Sequence, residues 1–328
     1  MQFLTACKIT IMKVLIVKTS SMGDVIHTLP ALTDAQKAIP NIQFDWVVEE
    51  AFAEIPCWHS AVNRVIPVAI RRWRKNLLNR QTWQEWQSYV KALRTEEYDA
   101  VIDAQGLIKS AVLVTKQARG TKYGYDKHSV REGLSSWFYD KTLSIAYQQH
   151  AVERIRQLFA EALGYALPQT IGDYGIASHF MKQPKSPTAY MVAIHATTRA
   201  DKHWKEAYWE ELIRSVTMQG LSVHLPWGNA EEKARAERLA KVSADVVVLP
   251  KLTLAELAQE IANAKVVVSV DTGLSHLTAA LDKPNVILYG ATDPKLIGAY
   301  GKNQHYLTGN GMESILPYRV LQVLENEL

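Results

Sequence analysis

"MKVLIVKTSSMGDVIHTLPAL", residues 12–32, decides the fold. Apart from Lys13 its first six residues are an apolar run of strand length, the pattern of a strand buried on both faces. A small polar turn follows, and from Asp24 onward the apolar positions recur at helical spacing, so the stretch reads strand, turn, helix. The turn contains neither G-x-G-x-x-G nor G-x-x-x-x-G-K-[ST], so it is not a dinucleotide or P-loop cradle. It carries one carboxylate instead, Asp24.

Outward from this unit, apolar runs alternate with helical stretches, the mark of parallel strands joined by crossover helices. Strands are expected at 13–17, 43–48, 65–69 and 99–103, with helices at about 24–38, 82–95, 107–117 and 150–163. A second series begins with strand 190–195 and continues with strands 221–225, 245–249, 265–270 and 285–289. Its helices are expected at 204–218, 229–241, 253–263 and 273–281. Between the two series Pro, Gly, Ser and Lys punctuate the chain. The expected organisation is therefore a first α/β domain over 12–170, a linker over 171–188, a second α/β domain over 189–310, and a C-terminal helix over 311–328 that packs back on the first domain. Residues 1–11 form an extension or precede an alternative start. Ligands of such sheets bind outside the carboxyl ends of the strands, so the sequence predicts a site in a cleft between the halves.

The 328 residues exceed what one core ordinarily serves, in agreement with two domains. The composition, 48% apolar and 21% charged, is that of an ordinary globular protein, and the net charge of +4 is too mild to indicate nucleic acid. Two cysteines, Cys7 and Cys57, make no disulfide framework. No apolar run approaches the roughly 20 residues that span a bilayer. C-x-x-C, H-E-x-x-H and Asp-x-Asp are all absent, so no metal site is expected and phosphate would be handled by protein groups.

Two junctions of the second half suit an anion. "VVVSVDTGLSHL" sets Asp271, Thr272 and Gly273 between a strand and a helix, with His276 one turn in; a helix start offers free N–H groups and a favourable dipole. Alternatively Asp271 or Thr272 only caps that helix. "HATTRADKHW" supplies Thr197 and Thr198 as donors and Lys202 as a point charge, at the same sheet edge, or else it is a solvated loop. Glu232 in "LPWGNAEE" accepts from sugar hydroxyls or starts its helix. In the first half Asp24 is either a general base or an N-cap. Arg71, Arg72, Arg74 and Lys75 cluster with no acid in the run, which points to an anionic partner. Trp73 beside them suits a base stack or a lipid headgroup. Ser21, Met22, Gly23, Gln105 and Arg131 are further candidate contacts for that anionic partner.

Taken together, "MKVLIVKTSSMGDVIHTLPALTDAQ", "VIPVAIRRWRK", "YDAVIDAQGLIKSA", "HATTRADKHW" and "VVSVDTGLSHLTAALDKPN" closely resemble glycosyltransferase family 9, and within it the heptosyltransferase I group more than the heptosyltransferase II group. The resemblance implies an α/β GT-B architecture of two facing Rossmann-like domains and a metal-independent inverting transferase with no cofactor. Its implied donor is ADP-L-glycero-β-D-manno-heptose and its acceptor the inner Kdo of Kdo2-lipid A. Carried residue by residue, the base falls on Asp24 and the diphosphate contacts on Thr197, Thr198 and Lys202. Nucleotide and heptose contacts fall on Glu232, Asp271, Thr272, Gly273 and His276. Leu252 stands where the family often has methionine near the adenine. Expected with it are a monomer, a cytoplasmic location on the inner membrane of a Gram-negative bacterium, and transient contact with its anionic surface. The alternatives are another nucleotide-sugar transferase of the same architecture, or a non-enzymatic anion or nucleic-acid binder.

Overall fold

Twelve strands form two parallel sheets of six in the computed structural model, which describes residues 11–180 and 189–327. Contacts group the chain into two compact units that divide between Asp173 and Tyr174. The first unit contains β1 (Met12–Val17), β2 (Ile42–Glu49), β3 (Val62–Val68), β4 (Glu97–Asp103), β5 (Arg119–Tyr125) and β6 (Lys141–Leu143). The second contains β7 (Tyr190–Ile194), β8 (Ser222–Leu225), β9 (Val246–Val248), β10 (Val266–Val270), β11 (Asn285–Tyr289) and β12 (Gln304–Thr308).

The spatial orders are β3-β2-β1-β4-β5-β6 and β12-β11-β10-β7-β8-β9. Numbered from each unit's own first strand, both are 3-2-1-4-5-6, the doubly wound order. The order reverses between β1 and β4 in one unit and between β7 and β10 in the other, and those are the crevices where such sheets accept ligands. The segments that follow these four strands carry Asp24, Gln105, Lys202 and Asp271. Strands flanking the switch points are the apolar ones: Val14 to Val17 and Val266 to Val268 are fully buried.

Differences from the sequence expectation have local causes. The helix expected over 24–38 is two, Met22–Ile26 and Leu29–Ala38, because Pro30 fits only the first turn of a new helix. Strands β5, β6 and β12 lie outside the expectation; β5 contains two glycines, β6 has three residues, and β6 and β12 are edge strands with little apolar alternation. Over 174–180 the expected linker is part of the second unit: Tyr174 and Phe180 are buried, the Tyr174 hydroxyl donates to the Tyr300 carbonyl at 3.1 Å, and the Phe180 carbonyl accepts from Gln259 at 2.9 Å. Residues 171–173 of it belong to the first unit, and 181–188 lie outside the described residues, as do the first ten residues of the expected extension. The C-terminal helix, Pro317–Leu324, buries Val320 and Leu324 in the second unit's own core beside Trp209 and Leu212.

Arg156 ties two helices of the first unit together. Its side chain is 1% exposed, pairs with Asp34 at 2.6 Å and Glu153 at 2.9 Å, and donates to the Pro168 carbonyl at 3.2 Å. Arg156→Leu strands the Asp34 carboxylate without its guanidinium, and urea unfolding should show a loss of about 3–5 kcal/mol.

Acid should weaken the fold through two buried histidines. Ala61 donates its N–H to Nδ1 of His59 at 3.1 Å, so Nε2 carries the proton and gives it to Thr33 Oγ1 at 2.9 Å. Burial pushes this ring down to about 4, and burial with the nearby Arg235 guanidinium does the same to His195. An unfolded histidine titrates near ~6.5, so the unfolded chain binds these protons first. Stability is then complete above that pH and falls as pH drops toward 4. Denaturant titrations should find roughly 2 kcal/mol less stability per histidine at pH 5 than at pH 7.5, and His59→Gln should flatten the slope.

Candidate functional site

The first unit's switch point is built around the turn after β1. Ser21 is the N-cap of helix Met22–Ile26 and Asp24 is its third residue. Asp24 is therefore not the N-cap that the sequence left as its alternative role. Its Oδ2 instead accepts from the Ser21 N–H at 2.7 Å and the Ser21 hydroxyl at 2.8 Å, the reciprocal half of a capping box. Oδ1 accepts no hydrogen bond from any described group and lies 3.8 Å from Lys18 Nζ. The Asp24 side chain is 44% exposed. Met22 and Gly23 occupy the same first turn, Gly23 buried.

Lys18 escaped the sequence reading, although it follows the strand directly. Its side chain is 8% exposed, and its ammonium donates to the Ala104 carbonyl at 2.8 Å and is pushed below the usual lysine range by burial, against the pull of Asp24 and Asp103. Gln105, expected to touch the acceptor, buttresses this turn: its Oε1 accepts from the N–H groups of Thr19 at 2.9 Å and Ser20 at 3.2 Å. Asp103 beneath it is fully buried, accepts from the Gln105 and Gly106 N–H groups, and burial raises its pKa. Gly106 makes the turn at φ +65°, where a Cβ would meet the Val130 side chain at 2.3 Å.

The basic run departs from expectation. Arg72 is committed: it donates twice to Glu50, both at 3.1 Å, and to Glu85 at 2.8 Å. Its acids come from outside the run, so the uncompensated charge read there is smaller. Trp73 is no stacking platform; it is 8% exposed, donates to Glu85 at 2.7 Å and packs edge-on against Trp86. The Arg71 N–H is held by Glu49 and its guanidinium lies over the Phe52 ring. Arg74, Lys75 and Arg131 are exposed and make no ion pair with a described residue. Arg74 and Lys109 border a cavity of about 380 Å³ whose walls are mostly apolar, among them Ile70, Trp73, Leu77, Trp83 and Trp86.

In the second unit Asp271 is the hub. It takes Lys202 Nζ at 2.5 Å and the Thr292 hydroxyl at 2.6 Å, both on Oδ2, while its carbonyl accepts from Thr197 Oγ1 at 3.3 Å. Lys202 and Asp271 side chains are 15% and 13% exposed, so Lys202 is a positioned cation and not a solvated one. Of the two alternative caps, Asp271 is excluded because its carboxylate takes Lys202 and Thr292, while Thr272 does occupy the N-cap position of helix Gly273–Ala280, without a side-chain capping bond. The N–H groups of Gly273 and Leu274, in the first turn of that helix, have no acceptor among the described residues. His276 lies buried one turn on. Thr198 is exposed, and its N–H has no acceptor among the described residues.

Glu232 holds its own turn, taking the Gly228 N–H at 2.7 Å and Asn229 Nδ2 at 2.8 Å. Each oxygen keeps a lone pair for a hydroxyl. Leu252 lines a second cavity of about 380 Å³ with His179, Phe180, Ala255, Glu256, Gln259 and Glu260. Thr292 was missed in sequence, where only its place after β11 marked it. Among the described residues no three His, Cys, Asp or Glu side chains gather as a metal-ligand group.

The profile described as "Glycosyltransferase family 9 (heptosyltransferase)" matches residues 86–315. Lipopolysaccharide heptosyltransferase 1 of Escherichia coli (strain K12) is 62% identical over 294 residues, 89% of this chain and 92% of that one. The protein of the same name from Pseudomonas aeruginosa is 55% identical over 296 residues, 90% of this chain and 83% of that one. The solved structure of E. coli heptosyltransferase WaaC with ADP superposes with a TM-score of 0.94 at 58% identity, covering 97% of this chain and 100% of that one. The same enzyme with ADP-2-deoxy-2-fluoro heptose gives 0.92 at 56% identity, with the same coverage. Identity of this level over nearly the whole chain, with the doubly wound sheets already described, means that the chain belongs to glycosyltransferase family 9, the heptosyltransferases of α/β GT-B fold.

Proposed function

We propose that this heptosyltransferase moves L-glycero-D-manno-heptose from ADP-heptose to the inner Kdo of Kdo2-lipid A, forming an α-1,5 link by one inverting displacement. The observation that carries the proposal is the split duty of Asp24: one oxygen is occupied by Ser21, and the other accepts no hydrogen bond from a described group, on a side chain that is 44% exposed. A carboxylate oxygen without a hydrogen-bond partner, at a sheet switch point, supports a general-base role. In the displacement a Kdo hydroxyl attacks the anomeric carbon of heptose and gives its proton to Asp24 Oδ1. The bond from that carbon to the diphosphate oxygen breaks, and ADP leaves with the electron pair.

Charge then builds on the diphosphate. Lys202, held by Asp271, meets it together with the Thr198 N–H and the first N–H groups of the helix after Thr272, donors already in place before the bond breaks. The nearness of relatives solved with ADP and with a fluoro-heptose analogue of the donor supports the donor assignment. Leu252 and its cavity suit the adenine, and Glu232 and His276 suit ribose or heptose hydroxyls. On the acceptor side Arg71, Arg74, Lys75 and Arg131 present charge to Kdo carboxylates and phosphates, with Arg72 already neutralised by glutamates. No described helix is long and apolar enough to cross a membrane. The apolar cavity bordered by Arg74 and Lys109 favours transient contact with an anionic membrane surface, on the cytoplasmic face of the inner membrane.

The test is ADP release from ADP-heptose with and without deacylated Kdo2-lipid A. Release that requires the acceptor supports the assignment; release without it, or from a different nucleotide sugar only, overturns it.

A further inference from the structure

We propose that Arg235 and His203 act as a positioning pair for the diphosphate loop, fixing the peptide between Thr197 and Thr198 so that its N–H faces the donor. The inference rests on the donor site assigned above. His203 Nε2 lies 2.8 Å from the Thr197 carbonyl oxygen, and its Nδ1 is engaged by the Arg235 guanidinium. A guanidinium only donates, so Nδ1 is the accepting nitrogen. The proton of the neutral ring is therefore on Nε2, and His203 donates to Thr197. The tautomer follows from the arginine, not from the loop.

That one hydrogen bond has a directional consequence. In a planar trans peptide the carbonyl and the next N–H point in opposite directions. Holding the Thr197 oxygen against His203 therefore turns the Thr198 N–H the other way, and that N–H has no acceptor among the described residues. Arg235 is well anchored for the task. Its side chain is 11% exposed, it also donates to the Trp204 carbonyl, and Glu206 lies 3.8 Å from it. Burial opposes its charge and Glu206 supports it. The His203 ring and the Trp204 carbonyl are thus both tied to Arg235 on the helix Ala230–Leu239, while Lys202, one residue earlier, is tied to Asp271. Neither Arg235 nor His203 touches the reacting atoms in this scheme.

Two substitutions of similar size and polarity separate positioning from general support. His203→Gln keeps a donor near the Nε2 position, whereas His203→Asn keeps an acceptor near Nδ1 and loses the donor toward Thr197. ADP affinity by calorimetry and the KM for ADP-heptose are measured for both, with the acceptor KM and thermal unfolding alongside. His203→Asn should weaken ADP binding and raise the donor KM about tenfold, the scale of one lost hydrogen bond to an aligned donor set. His203→Gln should stay within about threefold of the wild type, with the acceptor KM unchanged in both. Equal ADP binding by wild type and both variants, or equal loss in both, overturns the proposal. A wild type that binds ADP but transfers no heptose would instead contradict the function assigned above and leave the positioning result readable from ADP binding alone.

Discussion

Asp24→Asn leaves ADP bound and nearly stops transfer: kcat falls about 10²–10⁴-fold, the usual contribution of a positioned base. Asparagine is the informative replacement because of the double duty of this side chain. Its amide oxygen can still accept from the Ser21 N–H and hydroxyl, bonds now made by Oδ2 at 2.7 and 2.8 Å, so the helix start survives. What is lost is the basic oxygen beside Lys18. Asp24→Ala removes both functions and should in addition cost about 1 kcal/mol of stability, as cap replacements do. Calorimetry for ADP, turnover with saturating donor and thermal unfolding separate the two effects. Normal turnover by Asp24→Asn would reduce this residue to half of a capping box and send the search for the base elsewhere.

Lys202→Met should lower kcat/KM about 10²–10³-fold, comparable to the removal of one preorganised donor from a transition-state anion site. The ammonium is held at 2.5 Å from Asp271 in a mostly buried pair, so its position is set before the substrate arrives. Its loss has a second effect. Asp271 keeps the Thr292 hydroxyl but no cation, and its negative charge then faces the diphosphate. Lys202→Met is therefore expected to hurt more than Asp271→Asn, which leaves the ammonium in place and only loosens it. Ground-state ADP binding should fall by less than kcat/KM, since the charge grows as the bond breaks. If Lys202→Met lost stability but kept its kcat/KM, the lysine would be a structural partner of Asp271 and nothing more.

Asp24 and Asp271 are legible in the sequence because of a property of parallel sheets. A strand followed by a crossover helix leaves its loop at the carboxyl edge, so the position of Asp24 after β1 and of Asp271 after β10 places them at ligand-bearing edges. Alternation of short apolar runs with helical periods likewise announces two α/β units. Strands β5, β6 and β12 do not announce themselves, since a strand buried on one side or at one end needs little apolar sequence.

The sequence by itself determined the two doubly wound units, the strand-to-loop placement of Asp24, Thr197, Lys202 and Asp271, and the motifs that carry the family resemblance. Only the tertiary structure decided which charges are spoken for. Arg72 meets Glu50 across 22 residues of sequence, Lys202 meets Asp271 across 69, and Arg235 meets His203 across 32. Local periodicity encodes burial and secondary structure, which depend on near neighbours. Pairing of side chains depends on strand order and on which distant elements the fold sets side by side. That is why Trp73 reads as a surface aromatic in sequence and is a buried donor to Glu85 in the folded chain.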